Sequence, residues 1–153
     1  MDRRKLGTIE VSDVCLGTMT FGRDTGRDDA FAQMDRALDA GISFFDTAEM
    51  YPVPPQAAFY GRTEEVIGAW LSARPGARDR VQIASKISGP NGGHSRGGKG
   101  FEPDNIADAV DGSLKRLGTD RIDLYQLHFP DRRTPLEETL GALTELVDEG
   151  KVR

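Results

Sequence analysis

The feature that most constrains this chain is an alternation. Short apolar runs, three of which close on a polar residue, are followed by longer stretches of helical period that end at or near glycine. The runs are Val14 to Met19, Ile42 to Asp46, Val81 to Ile87 (with Lys86 near its end) and Ile122 to His128. Strands that alternate with helices imply a parallel sheet joined by right-handed crossovers.

Before these units, Arg4 to Leu6 and Ile9 to Val11 are expected to form a hairpin through Gly7-Thr8. Phe31, Met34 and Leu38 share one face of a first helix that Gly41 ends, as a glycine just past a helix does. Thr63 is placed to cap a second helix, with Glu64 and Glu65 in its first turn and Val66, Ile67, Trp70 and Leu71 as its apolar stripe. Arg74-Pro75-Gly76 ends it. A third helix starts near Pro103, carries Ile106, Val110, Leu114 and Leu117 inward and stops at Gly118. Thr134-Pro135-Leu136-Glu137 has the pattern of a capping box, and Leu136, Leu140, Leu143 and Val147 continue that helix to Gly150. The order is a hairpin and then four βα units, in one domain or part of one.

Composition excludes several functions. A net charge of -5 argues against a nucleic-acid or anionic-membrane surface, because phosphate binding relies on basic patches that release counterions. No segment approaches the length of an apolar membrane span, and Met1-Asp2-Arg3-Arg4-Lys5 leads into no signal-type apolar stretch. The single cysteine, Cys15, cannot form an intrachain disulfide, so a reducing, cytoplasmic location is expected. Two histidines and one cysteine give no metal-ligand spacing, and no metal is expected.

Side chains alternate faces along a strand, so Ile42, Phe44 and Asp46 point one way, as do Gln82, Ala84 and Lys86, and Leu124, Gln126 and His128. If the three strands are adjacent, three polar ends converge on one rim, and the rim at the C-terminal strand ends is where parallel barrels do their chemistry. Tyr51 follows Asp46 closely. A lysine ammonium beside a phenol favours the phenolate, which makes Tyr51 a candidate proton donor; Asp46 would hold Lys86 charged, and His128 could hydrogen-bond a substrate oxygen. Each residue alone has a plainer reading. Asp46-Thr47 could be a turn, Tyr51 a loop aromatic, His128 a satisfied strand end and Lys86 a snorkelling rim residue. Their coincidence at matching strand ends favours chemistry, and a hydride would have to come from a cofactor.

A second pattern competes. Gly93-His94-Ser95-Arg96-Gly97-Gly98-Lys99-Gly100 nearly matches a phosphate-binding loop. Gly100 replaces the magnesium-binding hydroxyl, however, and Phe101-Glu102-Pro103 separates the loop from the helix, so a lid at the mouth of the site is expected instead. His94 is expected to face solvent, and Arg132-Arg133 to be a solvated loop that could steer an anionic cofactor.

The segments Leu16 to Gly22, Asp46 to Pro55, Ile83 to Lys86, Ser113 to Asp120 and Asp123 to His128 resemble the aldo-keto reductase family, on its bacterial Tas-like, NADP(H)-dependent branch. The resemblance covers essentially residues 1–153. It implies an α/β fold of the (β/α)8 TIM-barrel family, present here as the N-terminal hairpin and about four βα units, hence the N-terminal half of such a domain. It implies NADPH-dependent reduction of an aldehyde or ketone to an alcohol, with Asp46, Tyr51, Lys86 and His128 as the catalytic set. Gly17, Thr18 and Met19, with Asp46, would lie against the cofactor, and the partner would be a small carbonyl substrate. Phe129 stands where the family often has tryptophan. A complete barrel needs about 250 residues, so the expected states are self-association or a missing C-terminal half. The alternative is a truncated, non-catalytic half-barrel or a reductase-like binding or regulatory subunit.

Overall fold

The computed structural model describes residues 1–92 and 95–153. Its first unit is an antiparallel hairpin, β1 (Arg3–Leu6) and β2 (Ile9–Ser12), paired from Arg3↔Ser12 to Leu6↔Ile9. A four-stranded parallel sheet follows, made of β3 (Cys15–Gly17), β4 (Phe44–Asp46), β5 (Gln82–Ile87) and β6 (Leu124–Leu127), in the order β3-β4-β5-β6. Its helices are α1 (Arg27–Asp39), α2 (Arg62–Ala73), the single turn α3 (Ala77–Arg80), α4 (Pro103–Leu117) and α5 (Leu136–Asp148). The strands are shorter than the apolar runs that contain them, and α3 has no apolar period to announce it. After α5 the backbone returns to the sheet, where Ile122 N donates to Lys151 O at 2.9 Å and Arg153 N to Ile122 O at 3.1 Å.

The face of the sheet toward the helices builds the core. Phe45 and Ile83 are fully buried and pack with Met34 of α1, Ile67 and Trp70 of α2 and Leu117 of α4. Burying each large side chain of this kind stabilises the fold by about 1.5–3 kcal/mol. A second cluster joins Ile87 and Phe101 to Ile106 and Val110 of α4 and to Ala142 and Leu146 of α5. Helices α2 and α4 meet at Gly68, where an added Cβ would lie 2.3 Å from the carbonyl oxygen of Arg116, so no larger residue fits without moving a helix.

Two expected caps do not form. The residue before α2 is Gly61 in a left-handed conformation (φ 76°), and the Thr63 hydroxyl donates instead to Phe21 O at 2.9 Å, tying the helix to the β3–α1 connection. At α5 the cap position is Pro135, and the Thr134 hydroxyl, one residue too early, donates to Asp131 Oδ2 at 2.7 Å. The buried face of α5 is also not its leucine stripe. Thr139, Ala142 and Leu146 face the core, while Leu136, Leu140 and Val147 are exposed. Among the described residues no helix is long and apolar enough to cross a membrane, and no group of histidine, cysteine, aspartate and glutamate side chains is arranged to hold a metal ion.

Candidate active site

The parallel register carries Asp46, Lys86 and His128 to one rim. Asp46 pairs with Ala84, and Lys86 with Gln126, so Asp46, Lys86 and Gln126 share the face away from the helices; His128 N donates to Ile87 O at 3.0 Å just past the end of β6. Tyr51 arrives from the β4–α2 connection by a tight turn in which its N–H donates to Ala48 O at 3.1 Å.

Lys86 is the hub. Its Nζ lies 2.7 Å from Asp46 Oδ2, 2.8 Å from Thr47 O and 3.3 Å from Tyr51 Oη, and it sits 4.7 Å from the centre of the Tyr51 ring. An ammonium has three protons and no lone pair. Each proton therefore meets one oxygen, the phenol oxygen accepts from Lys86, and the phenolic proton is left to donate elsewhere. The Asp46 carboxylate is fixed from its other side by Gln126 Nε2, 3.2 Å from Oδ1.

The His128 ring stands edge-on to Tyr51, with centres 5.7 Å apart, and stacks on Phe129 at 4.7 Å with 11° between planes. Its Nδ1 is buried without a hydrogen-bond partner among the described residues. Partial burial, and secondarily the Lys86 charge, hold the ring below its ordinary value of 6.5, with Asp46 opposing. As pH falls below 6.5 the unfolded chain takes up this proton first, so acidification through this window removes stability. An NMR titration is expected to show His128 protonating below 6.5 and Lys86→Met moving its midpoint upward; an unmoved midpoint would show that the lysine charge does not reach the ring.

The three residues expected against a cofactor are placed differently from one another. Gly17 is exposed and pairs with Asp46 in register, and a Cβ built on it meets nothing within 4 Å. The Thr18 hydroxyl is buried and donates to Asp46 O at 2.7 Å, so it braces the site from inside, whereas the Met19 side chain is half exposed. The cations at this rim, buried Lys86 and partly buried Arg96, are each bonded to a carboxylate. The described residues thus fit the reacting end of a nicotinamide cofactor and offer no buried unpaired cation for its phosphates. His94 and Gly93 of the near phosphate-loop pattern lie outside the described residues. Lys99 is exposed, and the Arg133 guanidinium donates to Gly98 O at 2.8 Å.

A cavity of about 310 Å³ opens beside the site and is lined by Phe101, His128, Phe129 and Pro130 among others. A larger one, about 590 Å³, lies between β3 and α1 and contains none of the four polar rim residues.

Sequence reasoning passed over a second layer behind β5. Glu49 is completely buried, with its carboxylate 2.5 Å from Tyr60 Oη, 2.7 Å from Ser88 N and 2.8 Å from Arg96 Nε. Glu64, also completely buried, accepts from Ser85 Oγ and Arg116 Nε, both at 2.6 Å. Desolvation, with Glu49 beside it, pushes the Tyr60 phenol far up and keeps it a donor. A glutamate between Ala48 and Met50, directly after the run that ends at Asp46, was the available signal.

The parallel βα sheet thus gathers an acid, a lysine, a tyrosine and a histidine at its C-terminal rim, the end at which parallel barrels carry their chemistry. Residues 13–153 match the family model described as Aldo/keto reductase family, and the chain belongs to that family. It is 44% identical to Protein tas of Escherichia coli over 95% of this chain and 48% of that protein. It is 46% identical to the uncharacterized oxidoreductase YrpG of Bacillus subtilis over 94% of this chain and 44% of that protein. The crystal structure of a thermostable aldo-keto reductase, Tm1743, with the inhibitor epalrestat superimposes with a TM-score of 0.79 at 31% identity, covering 100% of this chain and 52% of that one. The chain thus spans about half the length of the relatives it matches, and its architecture is the hairpin and four βα units of a (β/α)8 barrel.

Proposed function

We propose that residues 1–153 are the N-terminal half of an NADP(H)-dependent reductase domain and carry the proton-transfer groups that convert an aldehyde or ketone to an alcohol. The observation that carries this reading is the single ammonium shared by Asp46, Thr47 O and Tyr51 Oη. A nicotinamide cofactor, when bound, supplies the hydride. The residues here govern the proton. Tyr51 donates its phenolic proton to the oxygen of the carbonyl as that oxygen gains negative charge, and Lys86, already donating to the phenol oxygen, stabilises the phenolate left behind. Asp46 keeps the ammonium charged and in place, and His128 orients the substrate oxygen. Solvent then returns a proton to Tyr51.

Gly17 and Met19 are the groups of the β3 end available to line the nicotinamide. The cytoplasm and a small-molecule carbonyl substrate belong to the same reading, as does a second body, either another copy or a C-terminal half, to cover the outer edge of β3 and the exposed stripe of α5. The test is spectrophotometric and uses an assembly that completes the cofactor site. With NADPH and a panel of aldehydes and ketones, Lys86→Met is expected to suppress turnover and change its pH profile. A profile that superimposed on the parent's would show that Lys86 and Tyr51 are not coupled.

A further inference from the structure

We infer that Glu49 and Arg96 are positioning residues for Tyr51, so that Arg96, in the segment after β5, is part of how the site is built. The inference rests on the reading of Tyr51 as proton donor.

Glu49 lies two residues before Tyr51 and is bound on every side. Its N–H donates to Lys86 O at 3.2 Å, and its carbonyl accepts from Gly61 N at 2.9 Å. Its carboxylate takes the Ser88 amide on Oε1 and the Tyr60 hydroxyl and Arg96 Nε on Oε2. One residue therefore joins the turn that carries Tyr51 to the end of β5 at two points: its backbone N–H holds the carbonyl of Lys86 and its carboxylate holds the amide of Ser88. The phenol–ammonium distance depends on that junction.

Among the described residues Arg96 is the one cation bonded to this carboxylate, and its placement costs backbone energy. Its φ of 52° is the left-handed region, where a residue with a Cβ is disfavoured, and it is the one non-glycine residue with positive φ among the described residues. A second bond braces it: Arg96 Nη1 donates to Asn105 Oδ1 at 3.2 Å, and Asn105 Nδ2 donates to Gly100 O at 2.6 Å. Asn105 lies in the first turn of α4, so Arg96 is tied to a helix on one side and to the Tyr51 turn on the other. Without Arg96, Glu49 would be a completely buried carboxylate held by neutral donors alone, a state that favours protonation or rearrangement. Either outcome loosens the Ser88 and Tyr60 bonds.

The experiment is Arg96→Gly, which suits the left-handed backbone while deleting the guanidinium, in protein carrying 3-fluorotyrosine. The chain has three tyrosines, Tyr51, Tyr60 and Tyr125, so each fluorine line is assigned by its Tyr→Phe variant. The expected result is a shifted or broadened Tyr51 line and Ser88 amide exchange faster by about tenfold or more, the scale of one lost buried hydrogen bond, with Trp70 emission unchanged as the sign of an intact core. Arg96→Lys, which restores charge, is expected to bring the Tyr51 line part of the way back. A Tyr51 line identical to the parent's in Arg96→Gly overturns the inference, even with lowered overall stability. If Arg96→Gly disturbs Trp70, Arg96→Lys is read alone: a shifted Tyr51 line upholds the inference and an unmoved one overturns it. Neither readout uses turnover, so the failure of Tyr51 as donor and the failure of this junction are separate results.

Discussion

Tyr51→Phe is expected to lower carbonyl reduction by at least about a hundredfold, the low end for a positioned acid, in an assembly that holds the whole cofactor site. The substitution keeps the ring, and with it the edge contact to His128 and the face beneath Lys86, and removes only the hydroxyl. NADPH affinity is therefore expected to stay near the parent's while kcat falls. Lys86 would keep two of its three acceptors, Asp46 Oδ2 and Thr47 O, so the lysine is not set free to rearrange. Turnover within threefold of the parent, a loss of less than about 0.7 kcal/mol in the barrier, would remove Tyr51 from the role of acid.

Arg116→Met is expected to destabilise the fold by about 3–5 kcal/mol, the range for leaving a buried charge without its partner. Glu64 has no exposed surface, and its carboxylate is held by Arg116 Nε on one oxygen and the Ser85 hydroxyl on the other. Methionine can fill the space of the arginine stem but supplies no proton and no charge. Urea unfolding followed by Trp70 fluorescence measures the effect, and the double variant Arg116→Met with Glu64→Leu is expected to recover most of it because no orphaned charge remains. If the single variant lost less than about 1 kcal/mol, the pair would be behaving like a solvated surface bridge.

These residues mark where the sequence was legible. The placement of Asp46, Lys86 and His128 on one rim followed from two-residue alternation in three apolar runs, which any parallel pairing of β4, β5 and β6 must bring together. Position in the strand decides everything there, and position is local. Arg96 and Glu49 were illegible for the opposite reason. They stand 47 residues apart, and nothing in a glycine-rich segment indicates which acid an arginine will reach. Gln126 was placed on the correct face by alternation, but its bond to Asp46 spans 80 residues. The caps failed more instructively. Thr63 and Thr134 have the residue type that caps require, yet the Thr63 hydroxyl found a tertiary acceptor, Phe21 O, while Thr134 stands one residue too early and donates within its own loop to Asp131 Oδ2; one cap was outcompeted by a contact that only the folded chain supplies, the other by a local turn. In α5 the larger apolar stripe lost to a face of smaller residues, Thr139 and Ala142, because the helix sits close against Phe101 and α4.

In the parallel sheet each strand pairs with the strand that precedes it in the chain. No strand has to wait for a distant partner, so the sheet can grow from β3 toward β6 by successive additions, in step with a ribosome that delivers the N-terminal segments first. Synthesis then also sets a timetable for the polar rim. Asp46 and Tyr51 precede their cation in the chain. Their contacts to Lys86 await the pairing of β5, and His128, just past the end of β6, follows them in the order of synthesis.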